Sequence, residues 1–210
     1  MKTEYKLQNL DNIHAKDQSG TEYFGCDQNW YASEWQQVSG CGPTTAATLL
    51  VYLQKSGRIK LPVTILEQKD CMLLMEAVWA HVTPTPNGIY LIEQFCEGVQ
   101  SFAKMHGFDL TCHSLSIVES AALQSDLDDA IEFIKNGLAA DCPIAFLNLC
   151  SGNICNLEGW HWVTIVALES DDENDQISIT IFDGDKSEKI DFSSWFRTTT
   201  GGGALIYFEV

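Results

Sequence analysis

A cysteine set between two glycines heads an apolar run, Gly40-Cys41-Gly42-Pro43-Thr44-Thr45-Ala46-Ala47-Thr48-Leu49-Leu50-Val51-Tyr52-Leu53, and no other stretch constrains the chain as much. Pro43 suits the first turn of a helix, where its missing N–H costs nothing. Ala46, Leu49, Leu50 and Leu53 form one apolar stripe. Ala47 and Val51 widen it until little polar face remains, which is the pattern of a helix buried in mid-domain. A thiol at the N-terminus of such a helix faces the positive end of the macrodipole and unpaired backbone N–H groups, and both favour the nucleophilic thiolate. Many helix-start cysteines are nonetheless inert, so a functional reading of Cys41 needs a base, an orienting group and an oxyanion site.

The remainder of the chain divides in two. Residues 1–25 read as irregular and 26–40 as an aromatic-rich loop. Helices are expected at about 41–55, 65–82 and 87–106, with Pro84 and Pro86 breaking the second from the third. From Asp109 the pattern changes to strands. They are expected at 109–117, 143–149, 160–168, 176–182 and 204–210, with a short extended segment at 186–192 and a one- or two-turn helix near Ser193–Arg197. Ser125-Asp126-Leu127-Asp128 resembles a capping box and opens a further helix carrying Ala130, Ile131, Ile134 and Leu138. Residues 171–175 read as a solvated acidic hairpin tip. The fold class is therefore α+β: one domain over 1–210, with a helical part at about 22–107 packed on an antiparallel sheet part at about 108–210.

The net charge of −17 argues against nucleic acid or an anionic membrane as partner and suits basic or neutral substrates. No apolar run approaches the ~20 residues needed to span a bilayer. No apolar signal region follows Met1–Lys6, and the eight cysteines, several inside apolar patterns, read as reduced thiols of a cytoplasmic protein. Cys150, Cys155 and His161 match no zinc-knuckle spacing, so no metal is expected.

Of the five histidines, His161 stands out. It opens the strand Trp160-His161-Trp162-Val163-Thr164-Ile165, shares parity with Val163, Ile165 and Ala167, and has indoles on either side to exclude water. A histidine base needs a group on its second nitrogen to fix its tautomer. Asp183 ends the next strand on the side of Ile177, Ile179 and Ile181, where a hairpin brings it beside the start of the His161 strand. Asp185 has the same parity and is the alternative, while plain turn chemistry at Asp183-Gly184-Asp185 is the competing explanation.

Thiol on a helix, histidine on a strand and aspartate on the next strand resemble the papain-like cysteine peptidases. The likeness is strongest to the leader-peptide-cleaving peptidases of bacteriocin export and their stand-alone bacterial relatives. It rests on Gly40–Ala47, Gly159–Val163 and Phe182-Asp183-Gly184, with a further likeness at Phe192–Phe196. The resemblance implies a papain-like fold and a cysteine peptidase acting on a peptide or protein substrate without a cofactor. It implies Cys41 as nucleophile, His161 as base and then acid, and Asp183 as orienter. The family's oxyanion glutamine commonly lies six residues before the cysteine. Trp35 occupies that position here, which leaves Gln28 first and Gln36 next. The family's usual proline after the acid is Gly184 here. Acyl transfer to an amine or thiol on the same fold, or a non-catalytic binding domain, are the alternatives.

Overall fold

In the computed structural model, which describes residues 2–118, 124–171 and 176–210, the chain forms β1 (Lys2–Lys6), β2 (Ala15–Lys16), β3 (Glu22–Tyr23), α1 (Glu34–Ser39), α2 (Cys41–Lys55), α3 (Gln68–Trp79), α4 (Ile92–Met105), β4 (Thr111–Ile117), α5 (Gln124–Ala139), β5 (Ile144–Asn148), β6 (His161–Asp171), β7 (Gln176–Asp183), β8 (Lys186–Asp191), α6 (Phe192–Thr198) and β9 (Gly203–Glu209). Seven strands build one antiparallel sheet in the order β4-β9-β5-β6-β7-β8, with β1 alongside the second half of β6. β5 pairs with His161–Ile165, and β1 continues that edge of β6 from Ala167 to Asp171. The acidic tip expected at 171–175 lies, beyond Asp171, outside the described residues.

All five residues of β5 are buried, because the sheet is covered on both faces. Ala145 and Leu147 share a core with Leu49 and Leu50 of α2, Phe95 of α4 and Trp162 of β6. Phe146 and Val163 join a second core with Ile134 and Leu138 of α5 and Trp195 of α6. A strand buried on both sides reads as an unbroken apolar run rather than an alternation. α5 and α6 form a third layer on the other face.

Several local expectations change for one physical reason, namely that short elements held by backbone pairing and caps carry no hydrophobic period. Residues 2–6 alternate Lys, Thr, Glu, Tyr and Lys, yet pair residue by residue with β6. Within the stretch read as a loop, Asp27 caps a one-turn helix at Gln28–Trp30, and Ser33 caps α1 by accepting from the Gln36 N–H. The third helix starts at Ile92 rather than near residue 87, because Thr85 and Gly88 exchange backbone hydrogen bonds of 3.2 and 2.8 Å in a turn first. The expectation of eight reduced thiols is corrected at one pair. Cys96 on α4 and Cys112 on β4 form a disulfide, with Cα atoms 6.1 Å apart, as the docking of that helix on that strand permits. Among the described residues no helix is long and apolar enough to cross a membrane.

One buried polar group holds the end of the sheet where the His161 strand begins. Asn148 pairs in register with His161. Its Oδ1 accepts from the Trp195 indole at 2.8 Å and its Nδ2 donates to the Glu158 carbonyl at 2.6 Å. Replacing Asn148 by Ala removes both bonds from a fully buried position, although the Trp195 indole keeps the Cys150 carbonyl at 3.0 Å, and is expected to cost about 1–3 kcal/mol. Urea unfolding should show this, and an unchanged midpoint would remove Asn148 from the account of the fold.

Candidate active site

Cys41 is the first residue of α2, and Gly40 precedes it with φ −86° and ψ 0° and no side-chain cap. The leading N–H groups of α2 are therefore uncapped by any side chain at that end. Glycine is required at position 40 by space. A Cβ there would strike the Gln36 carbonyl and come within 2.7 Å of the Tyr31 ring. A Cβ at Gly42 would stand 3.1 Å from Ile89 Cδ1, and the Ile89 carbonyl accepts from the Trp162 indole at 2.8 Å. The 85–91 turn is thus clamped between α2 and β6.

His161 is buried at the start of β6, and its Nε2 lies 2.9 Å from Asp183 Oδ2. The Cys41 side chain meets the same imidazole. Burial works against charge on the ring, but the hydrogen bond to Asp183, the contact with Cys41 and the charges of both outweigh it and push the imidazole up to about 10. The two neighbours come from different layers: Asp183 ends β7, and Cys41 opens α2. Asp185, the alternative orienter, is exposed in the turn that joins β7 to β8.

The two glutamines part company. Gln36 sits in α1 with its amide committed, accepting from Ser33 Oγ at 2.9 Å and donating to Glu76 at 2.9 Å. Gln28 lines a small enclosed cavity together with Cys41, Trp162, Asp183 and Gly184. Among the described residues its Oε1 is buried without a hydrogen-bond partner.

Two neighbours of the site, Asp27 and Tyr90, were not singled out by sequence reasoning, and a third, Trp160, does not take the water-excluding place expected of it beside His161. Asp27 precedes Gln28, and its carboxylate packs on Gly184, where a Cβ would lie 3.0 Å from Asp27 Cγ. Burial pushes the Asp27 carboxyl up, and the charges of Asp185 and Asp183 act in the same direction, against its two bonds from Asn29. Trp160 adopts a left-handed φ of 56°, so β6 begins at His161 rather than at Trp160, and its indole is 64% exposed. Tyr90, also exposed, sets its ring edge-on to that indole with centroids 6.5 Å apart. Asp-x-Asn at 27–29 is a capping signal that could have pointed to the first. Nothing in the local sequence signals Tyr90, or the left-handed backbone that turns the Trp160 indole outward.

The metal reading gains no geometry. Cys150 Sγ lies 3.2 Å from Thr200 Oγ1, Cys155 is exposed, and His161 Nε2 is taken by Asp183. Among the described residues no group of three His, Cys, Asp or Glu side chains could hold an ion.

No protein-family model matches the sequence, and neither does any curated protein. Among solved structures, UfSP from C. elegans superposes with a TM-score of 0.56 at 11% identity, over 99% of this chain and 34% of that one. This chain thus spans about a third of the length of that relative. The fold is papain-like, with helices packed on a mostly antiparallel sheet. At that identity the likeness is one of fold alone.

Proposed function

We propose that the protein is a cysteine-nucleophile acyl-transfer enzyme, a peptidase that cleaves amide bonds of a peptide or protein substrate. The observation that supports this best is an imidazole placed between a carboxylate at 2.9 Å and a helix-start thiol. Cys41 Sγ attacks the carbonyl carbon, and the developing oxyanion accepts hydrogen bonds from the Cys41 N–H and the Gln28 amide. His161 gives its proton to the leaving amine as the C–N bond breaks, leaving a thioester on Cys41. It then takes a proton from the water that releases the acid. Asp183 on Nε2 leaves Nδ1 for the sulfur side and fixes the ring. Within the papain-like enzymes, the Gly40–Ala47 and Gly159–Val163 stretches favour the leader-peptide-cleaving branch. An acyl adduct on Cys41, trapped from an activated ester and located by mass spectrometry, tests the reading. Acylation that spares Cys41 overturns it.

The proton on His161 gives a separate check. The ring is held up from its ordinary 6.5 to about 10. It therefore contributes stability that is complete below pH 6.5 and is lost as pH rises through about 10. NMR of the ring protons should show His161 charged at pH 8, and a midpoint near 6.5 would count against the Asp183–His161–Cys41 arrangement.

A further inference from the structure

The amide arm and the orienting acid meet along one seam, and glycine makes the seam possible. Gly184 follows Asp183 with φ 58°, and its carbonyl accepts from the Phe24 N–H at 2.7 Å. With no side chain there, the Asp27 carboxylate settles directly on the turn. A Cβ would lie 3.0 to 3.4 Å from its three terminal atoms. The same carboxylate faces inward along its own segment. Asp27 Oδ1 accepts from the Asn29 N–H at 2.8 Å and from Asn29 Nδ2 at 2.9 Å, which closes the single helical turn on which Gln28 is the first residue. The Tyr31 N–H to the Gln28 carbonyl, at 3.2 Å, completes that turn. A one-turn helix has no length of its own to hold it, so its cap decides whether it forms. Gln28 needs such support. Among the described residues its side-chain oxygen is buried without a hydrogen-bond partner to fix its direction.

We propose that Asp27 is the positioning residue of the oxyanion arm: seated on Gly184, it caps the turn that aims Gln28 into the cavity shared with Cys41. The proposal rests on the reading of Gln28 as an oxyanion donor. It makes the segment 24–29 and the turn 183–185 one unit, so that orienter and oxyanion donor are set by the same contact. Asp27 does not touch the reacting atoms; it acts through Gln28.

The test separates two reactions of the same thiol. Alkylation by iodoacetamide displaces iodide at a saturated carbon and forms no oxyanion, whereas hydrolysis of p-nitrophenyl acetate passes through one. Gln28→Ala is expected to lower kcat for the ester roughly 10²–10³-fold. Asp27→Ala is expected to lower kcat on the order of 10–100-fold, with KM within about threefold and the rate of Cys41 alkylation unchanged. Asp27→Asn keeps an acceptor for the Asn29 N–H and should restore kcat to within about threefold of the parent. The double variant Asp27→Ala/Gln28→Ala should be no slower than Gln28→Ala alone, because the first residue acts only through the second. The proposal is overturned if Asp27→Ala hydrolyses the ester at the parental rate, if alkylation falls in step with hydrolysis, or if the double variant drops further. Should Gln28→Ala itself match the parent, the oxyanion assignment fails and the proposal with it. Undiminished alkylation of Cys41 would still speak for the nucleophile in that case.

Discussion

Cys41→Ala is expected to give a folded protein with no measurable acyl transfer. The substitution removes one sulfur atom from a half-buried position at the head of α2. Alanine is the best helix former, and loss of one sulfur from a half-buried position leaves little cavity behind, so thermal unfolding should move by no more than a few degrees. Hydrolysis should fall toward background, a loss on the order of 10⁶ when a nucleophile is deleted from a working site. The labelling half of the experiment has to be read residue by residue. Cys150 is a second accessible thiol. The Thr200 hydroxyl and the backbone N–H groups of Gly152, Thr200 and Gly201 draw it down to about 7. Mild alkylation of the parent should therefore mark both Cys41 and Cys150, and only loss of the first should stop turnover. A Cys41→Ala protein that still hydrolyses, with activity disappearing in Cys150→Ser, would move the chemistry to the loop after β5 and end the present assignment.

Asp183 carries the second large effect, and two substitutions divide it. Asp183→Ala leaves the Nε2 side of a buried imidazole unpartnered. Burial, which already opposes the charge, then loses its main counterweight, so His161 should give up its proton at a much lower pH. With neither orientation nor proton affinity preserved, kcat should fall roughly 10²–10⁴-fold. Asp183→Asn keeps an oxygen that can accept from Nε2–H but not the charge. It should hold the ring in place, retain activity to within about tenfold at neutral pH, and move the alkaline decline of the rate to lower pH. If both variants lose activity equally with an unshifted pH profile, Asp183 matters only for the fold of the 183–186 turn.

Some parts of this molecule could be read from the chain alone. α2, β5, β6 and β9 are buried almost throughout, and burial on all sides writes itself as an unbroken apolar run. Cys41, His161 and Asp183 were each legible because they stand where such a run begins or ends, which is where a side chain can be both rigid and reachable. The glutamine could not be chosen by counting back from the cysteine. Gln36 lies nearer the expected spacing, but its amide is spent on Ser33 and Glu76, whereas Gln28 reaches the cavity because a one-turn helix intervenes. β1 was invisible because a strand held by a neighbour's backbone needs no pattern in its own side chains. The Cys96–Cys112 bond was invisible because pairing depends on how α4 lies against β4, and sequence alone does not determine which cysteines meet.

The left-handed backbone at Trp160 has a further meaning for anyone who alters this protein. A bulky residue at φ 56° costs on the order of 1–2 kcal/mol that glycine would not incur. The indole it carries is 64% exposed, so its burial returns almost nothing. A screen for heat resistance alone should therefore drift toward glycine at this position. That drift would strip the aromatic shoulder from beside His161, and the gain in robustness would come out of the surroundings of the imidazole.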